Sequence, residues 1–226
     1  MQASVASHLA AQVVLGASCI AVIGCQPSAQ PREQLVADSI RDFSGKQGAK
    51  NWQYGYWDRT TDSDDEYGQD TDFKLLQHFG TDTLNGLSSH QQFRTGELWY
   101  LEDGRYYTSL WADGGHANSA TMLGKYAPAE QWVVRRWVSS TATTLKIHGQ
   151  VGKVMPWGKN WGGNCHAQIV VDGETVFSSP IDNDGRDYSV TVEVRKRSNV
   201  DFLIGPGPSV GVTQFTAKLI SIPATR

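Results

Sequence analysis

The residues best suited to chemistry sit in "KVMPWGKNWGGN" (153–164). Trp157 and Trp161 are four apart among glycines, with Lys159, Asn160 and Asn164 beside them. Two flat indole faces can take the C–H side of a pyranose, and amide and ammonium groups can orient its hydroxyls. This loop is the first candidate ligand surface, for a polysaccharide or glycan. Trp57, beside an acidic run, is expected to face solvent and extend the platform.

That run, "DRTTDSDDEYGQDTD" (58–72), holds seven carboxylates. Calcium takes six to eight oxygen ligands, so Asp62, Asp64, Asp65 and Asp70 are the candidate metal residues. The spacing lacks the glycine and glutamate of an EF-hand. Calcium is therefore an optional ligand here and no cofactor is required. A solvated acidic loop is the plainer alternative.

Catalytic patterns are thin. A glycosidase needs two carboxylates about 5–10 Å apart across the scissile bond, and no Glu-x-Asp-x-x-Glu strand supplies them. No Ser-His-Asp motif, zinc spacing or phosphate loop is present. His116 in "GGHANS" is a candidate base, although a lone loop histidine is more often a hydrogen-bonding spacer. Cys165 and His166 are adjacent on a strand, so they point to opposite faces and do not converge. Arg135 and Arg136 diverge for the same reason, and one must pair with a carboxylate.

The elements that position these residues read as strands. Leu145, Ile147 and Val151 alternate with polar residues, as do Tyr188, Val190, Val192 and Val194. "HAQIVVDGETVF" (166–177) is two strands joined by Asp172-Gly173, a tight-hairpin dipeptide. "VDFLIG" and "TQFTAKLI" repeat the pattern. Trp52, Tyr54 and Tyr56 share one face of "WQYGYWD" and are expected in the core. "FKLLQHF" fits either a strand or a short helical turn. With 23 glycines and Asp/Asn/Pro turns, these features describe an all-β protein, an antiparallel β-sandwich of jelly-roll type. A formal charge of −3 supplies no basic field for nucleic acid.

The first 24 residues contain no Asp, Glu, Lys or Arg. "VVLGASCIAVIGC" (13–25) has the length of a signal-peptide apolar region and is short for a membrane span. "VIGC" resembles the bacterial lipobox, which implies cleavage before Cys25 and its lipidation. The expected organisation is a signal peptide over 1–24, a tether over 25–37 and a single sandwich over 38–226. The protein would be exported, either secreted or held at a membrane through a lipid anchor only.

"DFSGKQGAKNWQYGYWD", "VVRRWVSS", "IVVDGETVF" and "VDFLIGPGPSVGVTQFTAKL", in that order, resemble the β-sandwich modules of large exported proteins from environmental bacteria. The resemblance spans roughly residues 38–222. It implies a jelly-roll, carbohydrate-binding-like unit. The expectation is non-catalytic glycan binding at the cell surface. A structural module that docks an envelope protein is the alternative, and a polysaccharide lyase or glycoside hydrolase the third.

Overall fold

Among the described residues, fifteen strands lie in two antiparallel sheets that face each other across an apolar core. The computed structural model describes residues 32–80, 97–101, 105–122, 127–153, 165–181, 184–207 and 210–222. Among them the helical content is one 3₁₀ turn, Ala49–Asn51. The fold is an all-β, antiparallel sandwich of jelly-roll type.

The first sheet is built around its longest strand, β9 (Thr143–Lys153). On one side β9 pairs with β12 (Arg186–Val194). On the other it pairs with β14 (Thr213–Phe215) and β15 (Lys218–Ile222). Thr213 faces Lys153 and Ile222 faces Thr144, so one register runs through both. The single strand read in "TQFTAKLI" is thus one run along β9 that changes partners on its far side. There β14 meets β7 (Gly114–His116) and β15 meets β1 (Gln34–Asp38). At the fork, the Thr216 carbonyl accepts the Tyr188 hydroxyl at 2.7 Å. Gly149 leaves the room: a Cβ there would stand 1.9 Å from the Thr216 oxygen.

Beyond β7 the sheet continues through β6 (Ser109–Trp111) and β5 (Leu98–Tyr100) to β4 (His78–Gly80). "FKLLQHF" is therefore neither one strand nor a helical turn. It splits into β3 (Lys74–Leu75) in one sheet and β4 in the other. The stretch expected to be a tether also needs correction, because Gln34–Asp38 is strand β1. Its Ala37 is fully buried, while Leu35 and Val36 lie on the exposed edge.

The second sheet has the order β11 (Glu174–Ile181), β10 (Cys165–Val171), β13 (Asn199–Gly205), β8 (Gln131–Val138), β2 (Trp52–Asp58), β3. The β10–β11 hairpin turns at Asp172 and Gly173, whose φ values of 49° and 88° suit the dipeptide read there. Trp52 and Tyr54 are fully buried against Leu145, Ile147 and Phe202, and half-buried Tyr56 packs against the same core.

Arg135 and Arg136 do point to opposite faces. Arg135 is buried and donates to the carbonyls of Trp111 (2.6 Å) and Phe215 (3.5 Å). Burial pulls its pKa down, while the fields of Tyr54, Asp113 and Tyr188 oppose that fall. Arg136 faces out and pairs with Asp201.

Candidate functional site

The outer face of the second sheet is not left wet. Residues 59–73, the acidic segment, fold back across it and make a second apolar cluster. Three cross-strand rows organise this surface.

The first row runs Trp57, Trp132, Gly205, His166 across β2, β8, β13 and β10. Trp132 lies against Gly205, where an added Cβ would stand 2.3 Å from the indole. A glycine is thus the residue that lets this indole lie flat on the sheet. Trp57 packs at 5.6 Å from Trp132 and 5.5 Å from Tyr67, ring centre to centre. The second row is Gly55, Val134, Leu203 and Gln168, with the Phe73 ring filling the space over Gly55. The third sets Arg136 beside Asp201. Arg136 holds Asp201 through two 2.8 Å hydrogen bonds and lies 4.1 Å over the Phe73 ring. Tyr67 donates its hydroxyl to Asp201 at 2.9 Å. Burial opposes the charge on Arg136, but its bonds and attraction to Asp201 reverse that and hold its pKa raised. Burial pushes the Asp201 carboxyl up, and Arg136 and Tyr67 pull against it.

Trp57 was expected to meet solvent. It is 4% exposed, and its indole N–H donates to Asp62 at 2.8 Å. A loop counted as solvated by composition supplies the cover, because Tyr67 and Phe73 anchor it from within.

The covered face leaves an open cleft of about 570 Å³ along the first row. Trp57, Tyr67 and Trp132 form its aromatic floor, and Arg59, Glu130, His166, Gln168 and Thr175 are its polar rim. Glu130 accepts from Arg59 at 2.9 Å and from the Trp132 indole at 3.0 Å, which fixes both. Arg59 also reaches Asp65 at 3.2 Å. His166 bonds Ser178 at 2.8 Å, and burial lowers its pKa, so the ring is neutral at pH 7. Cys165 points inward, away from His166; burial raises its thiol pKa.

A second groove, about 580 Å³, crosses the outer face of the first sheet past His148, Gln150, Asp187, Gln214 and Lys218. It is as large, yet its one aromatic, Tyr188, belongs to the core. Without a stacking face it fits a sugar less well than the Trp132 cleft does.

Trp157, Lys159, Asn160, Trp161 and Asn164 lie outside the described residues, as does Cys25. Three of the four calcium candidates have protein partners of their own. Asp62 holds Trp57, Asp64 accepts from Gln69, and Asp65 pairs with Arg59. Asp70 joins none of them, and among the described residues no three His, Cys, Asp or Glu side chains converge as a metal site. His116 is a spacer as expected, buried, with Nδ1 donating to the Ala117 carbonyl at 2.7 Å.

The cleft residues Trp132, His166, Gln168, Arg59 and Glu130 were not among the sequence candidates. One signal was available. Trp132 and Trp137 in "QWVVRRWV" are five apart and so fall on opposite faces of one strand, which requires both faces to be covered.

No family model matches the chain, and no curated protein does. Several solved structures align with parts of the chain. A family 35 carbohydrate binding module from Clostridium thermocellum aligns at 11% identity over 41% of this chain and 72% of its own, with a TM-score of 0.31. The CBM35 from Cellvibrio japonicus Abf62 aligns at 8% identity over 76% and 90%, with a TM-score of 0.32. A β-glucosidase from Kluyveromyces marxianus, in complex with glucose, aligns at 10% identity over 79% of this chain and 17% of its own, with a TM-score of 0.34.

Proposed function

We propose that this chain is a non-catalytic carbohydrate-binding module whose glycan docks in the Trp132 cleft. The observation that carries the reading is Trp132 held flat on Gly205 in the floor of an open cleft, ringed by His166, Gln168, Thr175 and Glu130. An apolar floor with a few fixed polar groups is how shallow sites orient sugars. Glu130 is committed to Arg59 and Trp132, so its part is to hold the floor in place. Trp157 and Trp161, with Lys159, Asn160 and Asn164, remain the proposed second contact. So shallow a site binds weakly alone and gains strength by avidity. Export and lipidation of Cys25 belong to the same proposal and are supported by the "VIGC" pattern.

The test is retention on a panel of soluble and insoluble polysaccharides. The expected result is retention on at least one glycan class, weakened about tenfold in Trp132→Ala. Because Trp132 also packs on the sheet, Gln168→Ala is the companion variant and should weaken binding while the protein melts as before. A folded protein retained by no glycan sinks the reading. The mass of the mature N-terminus tests Cys25: an unmodified Met1 would rule lipidation out.

A further inference from the structure

The ligand class can be narrowed by the charges around the aromatic floor. Three carboxylates line the cleft, Asp65, Glu66 and Glu130, against one guanidinium, Arg59. Arg59 is already bonded to both Asp65 and Glu130, at 3.2 and 2.9 Å. His166 adds no positive charge at pH 7, because burial lowers its pKa. Two other cations of the same sheet are engaged as well. Arg136 is locked to Asp201 two rows away, and Lys74 reaches the Thr61 hydroxyl at 3.3 Å. Arg59 already lies 5.8 Å over the Trp57 ring, so the cleft offers its surplus of negative charge beside the Trp132 indole, with no uncommitted cation among the described residues that line it.

Indole faces bordered by carboxylates attract ammonium groups through the ring quadrupole and the carboxylate field together. The same surplus repels uronate carboxylates and sulfate esters, which the floor alone would accept. We infer that the Trp132 cleft selects glycans carrying free amino groups, such as runs of glucosamine, over acidic ones and over their N-acetylated counterparts. This rests on the carbohydrate-binding reading and adds the charge of the ligand to it.

Titration calorimetry with the full chain tests it, using a glucosamine hexamer, an N-acetylglucosamine hexamer and a galacturonate hexamer at low salt. The glucosamine hexamer should bind about fivefold tighter than the N-acetylated one, the upper end expected for partly exposed charge pairs. The galacturonate hexamer should bind least. The preference should shrink as salt is raised. In Glu66→Gln the ratio of the two glucosamine-series affinities should fall to about twofold or less. Glu66 is exposed, so the variant is not expected to disturb folding.

Equal affinity for the charged and N-acetylated hexamers, or tighter binding of galacturonate, overturns the charge selection and leaves glycan binding standing. A glucosamine preference that persists unchanged in Glu66→Gln also overturns it, since the cleft would not be its source. No heat with these hexamers and no retention on the polysaccharide panel defeats both readings together.

Discussion

Arg136 and Asp201 sit opposite each other on paired strands and meet through two 2.8 Å hydrogen bonds on an outer sheet face. Only 12% and 4% of the two side chains is exposed. An outer face this dry exists because residues 59–73 lie over it, and the pair is what they are fastened to. Tyr67 bonds the Asp201 carboxylate, and Phe73 lies under the Arg136 guanidinium.

Removing one partner should be costly. Asp201→Ala leaves a buried guanidinium and a buried phenol without their acceptor, and the loss expected is about 3 kcal/mol. Tyr67→Phe removes a hydroxyl that donates to Asp201 and accepts from Arg136, and should cost about 1 kcal/mol. Denaturant unfolding measures both, and limited proteolysis should place the first new cut of Asp201→Ala within 59–73. A cut elsewhere would mean that this pair does not hold the segment.

Gly149 sits where the Thr216 carbonyl turns in to meet Tyr188. Gly149→Ala would put a methyl 1.9 Å from that backbone oxygen, so β9 and the run beside it must separate. The expected destabilisation is about 3 kcal/mol, the upper end for overpacking. A cost below about 1 kcal/mol would show that the fork yields easily.

His116 gives stability a pH dependence. Burial pushes its imidazole down to about 4 from 6.5, against an opposing pull from the Ala117 carbonyl. As pH falls from 6.5 towards 4 the unfolded ring takes up a proton and the folded ring does not. Stability therefore drops across that window, by about 3 kcal/mol at most, and levels off below it. The carboxylates titrate nearby, so the measurement is the difference between the wild type and His116→Gln. Identical slopes in the two would remove His116 as the cause.

Calcium should do little to the sandwich. Asp62, Asp64 and Asp65 each have a partner of their own, and a calcium site would have to break them apart. The expected result is the same melting temperature in excess calcium and in chelator. A clear rise with calcium would show that the segment rearranges to bind it.

Strands β9 and β12 were readable because each buries one face, so alternation survives in the residues themselves. Leu145 and Ile147 face in while Lys146 and His148 face out. The Asp172-Gly173 turn was equally plain, since few dipeptides accept two left-handed residues in sequence. Trp57 was misread for a reason of composition. Seven carboxylates argue for a solvated loop, and nothing local says that Tyr67 and Phe73 reach under it to a pair formed 60 and more residues away. β1 escaped because it is an edge strand with Leu35 and Val36 exposed, and so carries no alternation. The Trp132 cleft joins four strands and a loop, and its floor depends on Gly205, whose missing side chain leaves no pattern to notice.

Strand β1 has a mechanical consequence. Gln34 lies opposite Ser221, so the chain enters and leaves the sandwich at one corner, on neighbouring antiparallel strands. The hydrogen bonds between such strands run across them. Tension applied between Gln34 and Ile222 would load those bonds singly, like the teeth of a zip, instead of sharing the force as in shear. A pull on both ends should peel β1 away at low force while the β9 pairing holds. Single-molecule stretching would show this as a small first step, and one large all-or-none rupture would contradict it. A module strung between two tethers would then lengthen under strain before its glycan cleft was disturbed.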